Sequence, residues 1–84
     1  MDGITTRQRQ WLDHRNEIIS QRIRVGMARQ GIRSVPALSK KTNLPSRTLY
    51  HVLEAPLQYS FDRLYLISLA IKTDLGDLIG GVKD

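Results

Sequence analysis

The sequence predicts an all-α fold built from five helices. Apolar residues recur at spacings of three, four and seven along most of the chain, which is the period of an α-helix, while strand-like alternation is weak throughout. Gly and Pro fall between those periodic stretches, where they start and end helices instead of interrupting them. The 84 residues contain no Cys, so apolar burial alone must hold the core. A chain of this length closes one hydrophobic core, and a second effector or catalytic domain is not expected.

The first helix is predicted over residues 6–30. Leu12, Ile19, Ile23 and Met27 share one face at about 100° per residue and are read as core. Trp11, Ile18 and Val25 form a second row spaced by seven. Asn16 offers an alternative N-cap that would split this segment into two helices. Gly31 is suited to end the helix in a left-handed conformation. Ser34 then caps a short helix over residues 35–42, with Pro36 in its first turn and Leu38 turned inward. Asn43 breaks it by accepting a left-handed backbone, Leu44 plugs the core and Pro45 starts a third helix that ends near Glu54. That helix buries Leu49, Val52 and Leu53, and the segment APLQY after it is read as a loop.

Ser60 caps the fourth helix. Its apolar row of Leu64, Ile67 and Ile71 is widened by Leu66, Leu69 and Ala70, so the helix is expected to be largely buried. Asp74 and Asp77 mark the start of a last short helix through Leu75, Leu78 and Ile79, ended by Gly80 and Gly81 and followed by a frayed tail.

Charge is distributed unevenly. The formal net charge is +5: residues 1–33 carry +4, residues 34–58 carry +2 and the remainder carries −1. A one-sided basic character favours a polyanionic partner, nucleic acid or an anionic membrane surface. No apolar run approaches the roughly 18 residues that span a bilayer. The N-terminal MDGITTRQRQ lacks the hydrophobic stretch of a secretion signal, so a soluble cytoplasmic protein is expected.

The stretch LSKKTNLPSRTLYHVLEAP followed by SFDRLYLISLAIKTDLGDLI resembles the lambda repressor and Cro type of helix-turn-helix protein, over about three quarters of the chain. Leu38, Ser39, Asn43, Leu44, Leu49 and Val52 fall at that family's core, small-residue and turn positions. Leu64, Ile67, Ala70, Ile71, Leu75 and Leu78 fall at its helix-four and helix-five positions. Asn43 stands where the family usually has Gly, Ser39 where it usually has Ala, and Val35 where some repressors have Gln. The resemblance implies a five-helix lambda repressor-like fold and a short, Cro-like transcription regulator of a bacterium or bacteriophage. On that reading residues 1–15 are an N-terminal extension, either helical or an arm, residues 16–80 are the DNA-binding domain and residues 81–84 are a tail.

In such a motif the first helix seats the second in a major groove about 12 Å wide. Arg47, His51 and Glu54 lie opposite the buried row of the third helix, flanked by Ser46 and Tyr50. Ser46, Arg47, Tyr50 and His51 are the candidates for base contact. Arg47 leads because a guanidinium pairs bidentately with guanine O6 and N7, its competing role being a phosphate contact. Glu54 either accepts from cytosine N4 or orients a basic neighbour. Ser34, Lys40, Lys41 and Thr48 are assigned to phosphates. Arg7 and Arg9 either reach DNA as an arm or belong to a surface helix. Trp11, Ile18 and Val25 form either a homodimer seam or a row packed on the protein's own fifth helix.

The expected partner is operator DNA bound by a homodimer, with no cofactor, metal, membrane or small-molecule ligand. An enzyme is not expected: His14, His51, Ser20 and Ser39 lack partners at catalytic spacing, and the terminal glycines do not make a phosphate loop. Two His without Cys do not make a zinc site. The rival reading is a protein-interaction module on the same fold, an antitoxin-like or anti-repressor component docking through its N-terminal helix. A membrane-surface role for that Arg- and Trp-containing segment is a third.

Overall fold

A capping box opens the first helix. The Thr5 hydroxyl accepts from the Gln8 amide at 3.1 Å, and the Gln8 side chain accepts from the Thr5 amide at 3.0 Å. The computed structural model describes residues 3–80. Among these the order is α1 (Thr6–Arg29), α2 (Val35–Thr42), α3 (Ser46–Glu54), a 3-10 turn (Pro56–Gln58), α4 (Phe61–Ala70) and α5 (Leu75–Ile79), with no strand. The five-helix, all-α expectation therefore holds.

At about 1.5 Å per residue, α1 is about 36 Å long and nearly spans the 38 Å long axis of the molecule. It runs through Asn16 without a break, so Asn16 is not a helix cap. Its buried side is Asn16, Ile19, Ser20, Ile23, Gly26 and Met27. Leu12 departs from its expected core position and is only half-buried, because the rest of the fold flanks α1 from Asn16 onward. Gly31, at φ 69°, ends the helix in a Schellman motif: the Ile32 amide donates to Met27 O at 2.9 Å and the Gly31 amide to Ala28 O at 3.2 Å. Ile32 is carried into the core by this turn.

Ser34 caps α2 by accepting from the Ala37 amide at 3.3 Å. Pro45 immediately precedes α3 with extended backbone, φ −58° and ψ 143°, so the helix starts at Ser46, one residue later than the sequence predicted. The APLQY segment contains the 3-10 turn, and its position is set from α1: the buried Asn16 Oδ1 accepts from the Leu57 amide at 2.8 Å.

On α4 the row Leu64, Ile67 and Ile71 is buried as expected, but Leu66 and Leu69 are exposed. The expected widening of the apolar stripe is thus overturned at Leu66 and Leu69, whereas Ala70 is half-buried against the core as expected. The helix packs on α2 and α5 through its buried row, and Leu66 and Leu69 lie away from that row. Its end repeats the Schellman pattern with Lys72 in the left-handed position at φ 55°, the Thr73 amide donating to Ser68 O at 3.0 Å. Asp74 caps α5 by accepting from the Gly76 amide at 2.9 Å. The far end of α5 is closed by Arg22, whose guanidinium donates to the carbonyls of Asp77, Leu78 and Gly80 at 3.1, 3.1 and 2.7 Å. A cation at the carbonyl end of a helix also meets its partial negative charge. Gly81 and the expected tail lie outside the described residues.

One core joins these elements, built from Ile19, Ile23, Leu38, Leu49, Val52, Leu64, Ile67, Ile71 and Leu78 among others. Each such side chain contributes about 1.5–3 kcal/mol on burial. That core fixes α2 and α3 against α1 and α4, which holds the turn between them in one orientation.

Candidate nucleic-acid interface

The turn between α2 and α3 is tied at several points. Asn43 takes the left-handed conformation at φ 61° and ψ 17°, and its amide donates to Ser39 O at 2.9 Å. Asn tolerates this backbone better than other non-Gly residues, so the turn forms without Gly. The Ser39 hydroxyl donates to the Leu44 carbonyl. The buried Thr42 hydroxyl donates to Leu38 O at 3.0 Å and accepts from the Leu44 amide at 3.2 Å. Two hydroxyls therefore satisfy both backbone groups of Leu44 and tie the turn to the last turns of α2. Ser39 in place of a plain small residue has a structural reason in that bond.

With the turn fixed, α3 presents two distinct sides. Leu49, Val52 and Leu53 are buried. Arg47, Tyr50, His51 and Glu54 are exposed, and their spacing confines them to an arc of about 100° on the opposite side. Ser46 and Thr48 are half-buried at the first turn of α3. No side chain caps that first turn.

The predicted phosphate residues sit mostly on α2. Lys40 and Lys41 are exposed in its last turn, and Ser34 is exposed at its start while serving as the N-cap. Thr48 lies apart from them on α3. Arg7 and Arg9 are exposed on the first two turns of α1, N-terminal to every buried residue of that helix. Trp11 and Val25 are exposed and Ile18 is half-buried. Ile18 and Val25 border a shallow groove shared with Thr73 and Asp77, so α5 does not cover the row. The Arg15 guanidinium lies 4.5 Å from the centroid of the Trp11 ring.

Two residues that hold or flank this face, Thr42 and Arg33, were not singled out from the sequence, and a third, Asn16, has a different role from the helix cap it offered. Thr42 ties the turn, and Asn16 anchors the connector that leaves α3. Arg33, exposed and adjacent to the N-cap Ser34, shares a groove with Arg24 between the end of α1 and the start of α2. The available signal for Arg33 was the concentration of arginines before residue 34. Among the described residues no helix is long and apolar enough to cross a membrane.

A family model described as a Cro/C1-type HTH DNA-binding domain matches residues 22–84. No curated protein and no solved structure matches the chain significantly.

Proposed function

The chain belongs to the family of Cro/C1-type helix-turn-helix DNA-binding domains, and from that premise we propose that it is a sequence-specific, Cro-like repressor. It is a DNA-binding regulator. In our reading α3 enters the major groove of an operator, and bound protein obstructs RNA polymerase in a bacterial or phage-infected cytoplasm. The observation that carries this reading is the outward arc of α3, on which Arg47, Tyr50 and His51 are exposed opposite a fully packed core row.

Ser46, Arg47, Tyr50 and His51 supply base contacts. Arg47 does most of the selecting, since a bidentate guanidinium distinguishes guanine from other bases. Lys40, Lys41, Ser34 and Thr48 hold phosphates and set the register, and Arg33 joins them from beside the α2 N-cap. Arg7 and Arg9, on the helical extension of α1, reach the flanking backbone. A homodimer would read an inverted repeat with half-sites about one helical turn apart.

Replacing Arg47 by Ala tests the reading. Specific binding is expected to weaken by about 1–3 kcal/mol while non-specific binding stays nearly unchanged. Equal losses on specific and random duplexes would remove Arg47 from base readout.

A second reading is favoured by the exposure of Trp11 and Val25 on α1. Such a row fits a protein-docking face, as in an antitoxin-like or anti-repressor component. Arg47→Ala separates the two, because a module that acts only by docking a protein partner through Trp11 keeps that binding when Arg47 is lost.

A further inference from the structure

The outer face of α4 carries an apolar patch that neither the core nor the DNA interface uses. Phe61, Tyr65, Leu66 and Leu69 are 65%, 51%, 37% and 57% exposed. Residues 62, 65, 66 and 69 repeat at three, one and three, so Asp62, Tyr65, Leu66 and Leu69 share one helical face, with Phe61 at its edge. The opposite side of the helix holds the buried Leu64, Ile67 and Ser68.

The charges that bracket this face are self-complementary. Asp62 stands at its N-terminal end, and the exposed Lys72 stands just past its C-terminal end on the left-handed turn. We propose that a second copy of this chain covers the patch, with two α4 helices packed antiparallel about a two-fold axis. In that register Tyr65 of each copy packs on Leu69 of the other, and Asp62 of each meets Lys72 of the other. An isologous contact requires such a self-matching pattern, which the face has in the order of its charged and apolar residues.

The size of the patch sets the class of interface to expect. Four partly exposed side chains present on the order of 400 Å² per copy, given about 150–250 Å² for a whole aromatic side chain. The pair then buries about 800 Å², below the roughly 1,200 Å² of a stable interface. Two free copies are expected to associate weakly.

Sedimentation equilibrium of the full chain without DNA, up to about 1 mM, tests this apart from the DNA-binding reading, so the two fail separately. The wild type is expected to show a monomer–dimer equilibrium. Leu69→Glu is expected to weaken it at least tenfold with an unchanged thermal melt. Asp62→Lys and Lys72→Asp are each expected to weaken it several-fold, and an equimolar mixture of the two variants to restore pairing as a heterodimer. A wild type that stays monomeric at 1 mM, a dimer untouched by Leu69→Glu, or no rescue in the mixture would overturn the proposal. So would a dimer abolished by Trp11→Ala alone.

Discussion

Gly26 lies in the middle of α1, where Gly is ordinarily a poor choice: Ala at an unhindered helix position is favoured by about 1 kcal/mol. The structure reverses the sign. A Cβ at residue 26 would lie 2.8 Å from Ile71 Cδ1, 2.9 Å from Ile71 Cβ and 3.1 Å from Ile71 Cγ1. Cδ1 can rotate away, but Cβ moves only with the backbone, and Ile71 is itself 1% exposed. Its backbone is also fixed, since the Ile71 amide donates to Ile67 O at 3.0 Å at the end of α4. Overpacking of this kind costs about 1–3 kcal/mol, and two contacts under 3 Å put Gly26→Ala in the upper part of that range. After the gain in helix propensity, a net loss of about 1–2 kcal/mol remains. For a domain of this size the melting temperature should fall by about 5–15 °C, measured by thermal and urea unfolding with far-UV circular dichroism. Adding Ile71→Val, which removes Cδ1 but leaves Cβ, should recover only part of the loss. A Gly26→Ala protein that melts higher than wild type would refute the close approach of α1 to the end of α4.

Three further outcomes follow from other contacts. Arg22→Ala removes the donor to three carbonyls at the end of α5 and should cost about 1–2 kcal/mol, with α5 amides exchanging faster while α3 amides hold. Uniform acceleration across all helices would instead mark Arg22 as part of the general core. Lys72→Gly relieves a left-handed non-Gly residue in a Schellman turn and should raise stability by about 0.5–1 kcal/mol, whereas a lowered melting temperature would contradict the strain. Lys40→Ala should weaken operator and random DNA alike and flatten the dependence of log affinity on log salt by about one unit. An unchanged slope would take Lys40 off the phosphates.

The local signals in the sequence read well because their partners are near in the chain. Ser34, Gly31, Asn43 and Asp74 each cap or turn through bonds to residues within a few positions, and their chemistry announces itself. The exposed arc on α3 was legible for the same reason, since a strongly amphipathic helix separates its sides by period alone. What escaped depends on distant partners. Asn16 has the chemistry of a helix cap and offered itself as an alternative one, yet it serves the connector 41 residues later. Arg22 looked like one more surface arginine, although its acceptors lie 55 to 58 residues away. Gly26 drew no attention because only the approach of Ile71 gives it a reason.

The error on α4 has a different origin. Leu66 and Leu69 are apolar and stand beside true core positions, so composition widened the stripe to include them. Burial, however, follows the elements available to cover a face, and the elements packed on α4 bury Leu64, Ile67 and Ser68 while leaving Leu66 and Leu69 exposed. An apolar residue on an uncovered side reads the same in sequence as one in the core.

Selection of bound sequences from a random duplex library at near-physiological salt, with the winner titrated against scrambled DNA, tests the central claim most directly. An operator-reading protein should enrich one sequence and bind it at least about a thousandfold more tightly than the scramble. Enrichment of no sequence, with affinity for every duplex falling alike as salt rises, would contradict sequence-specific recognition by α3.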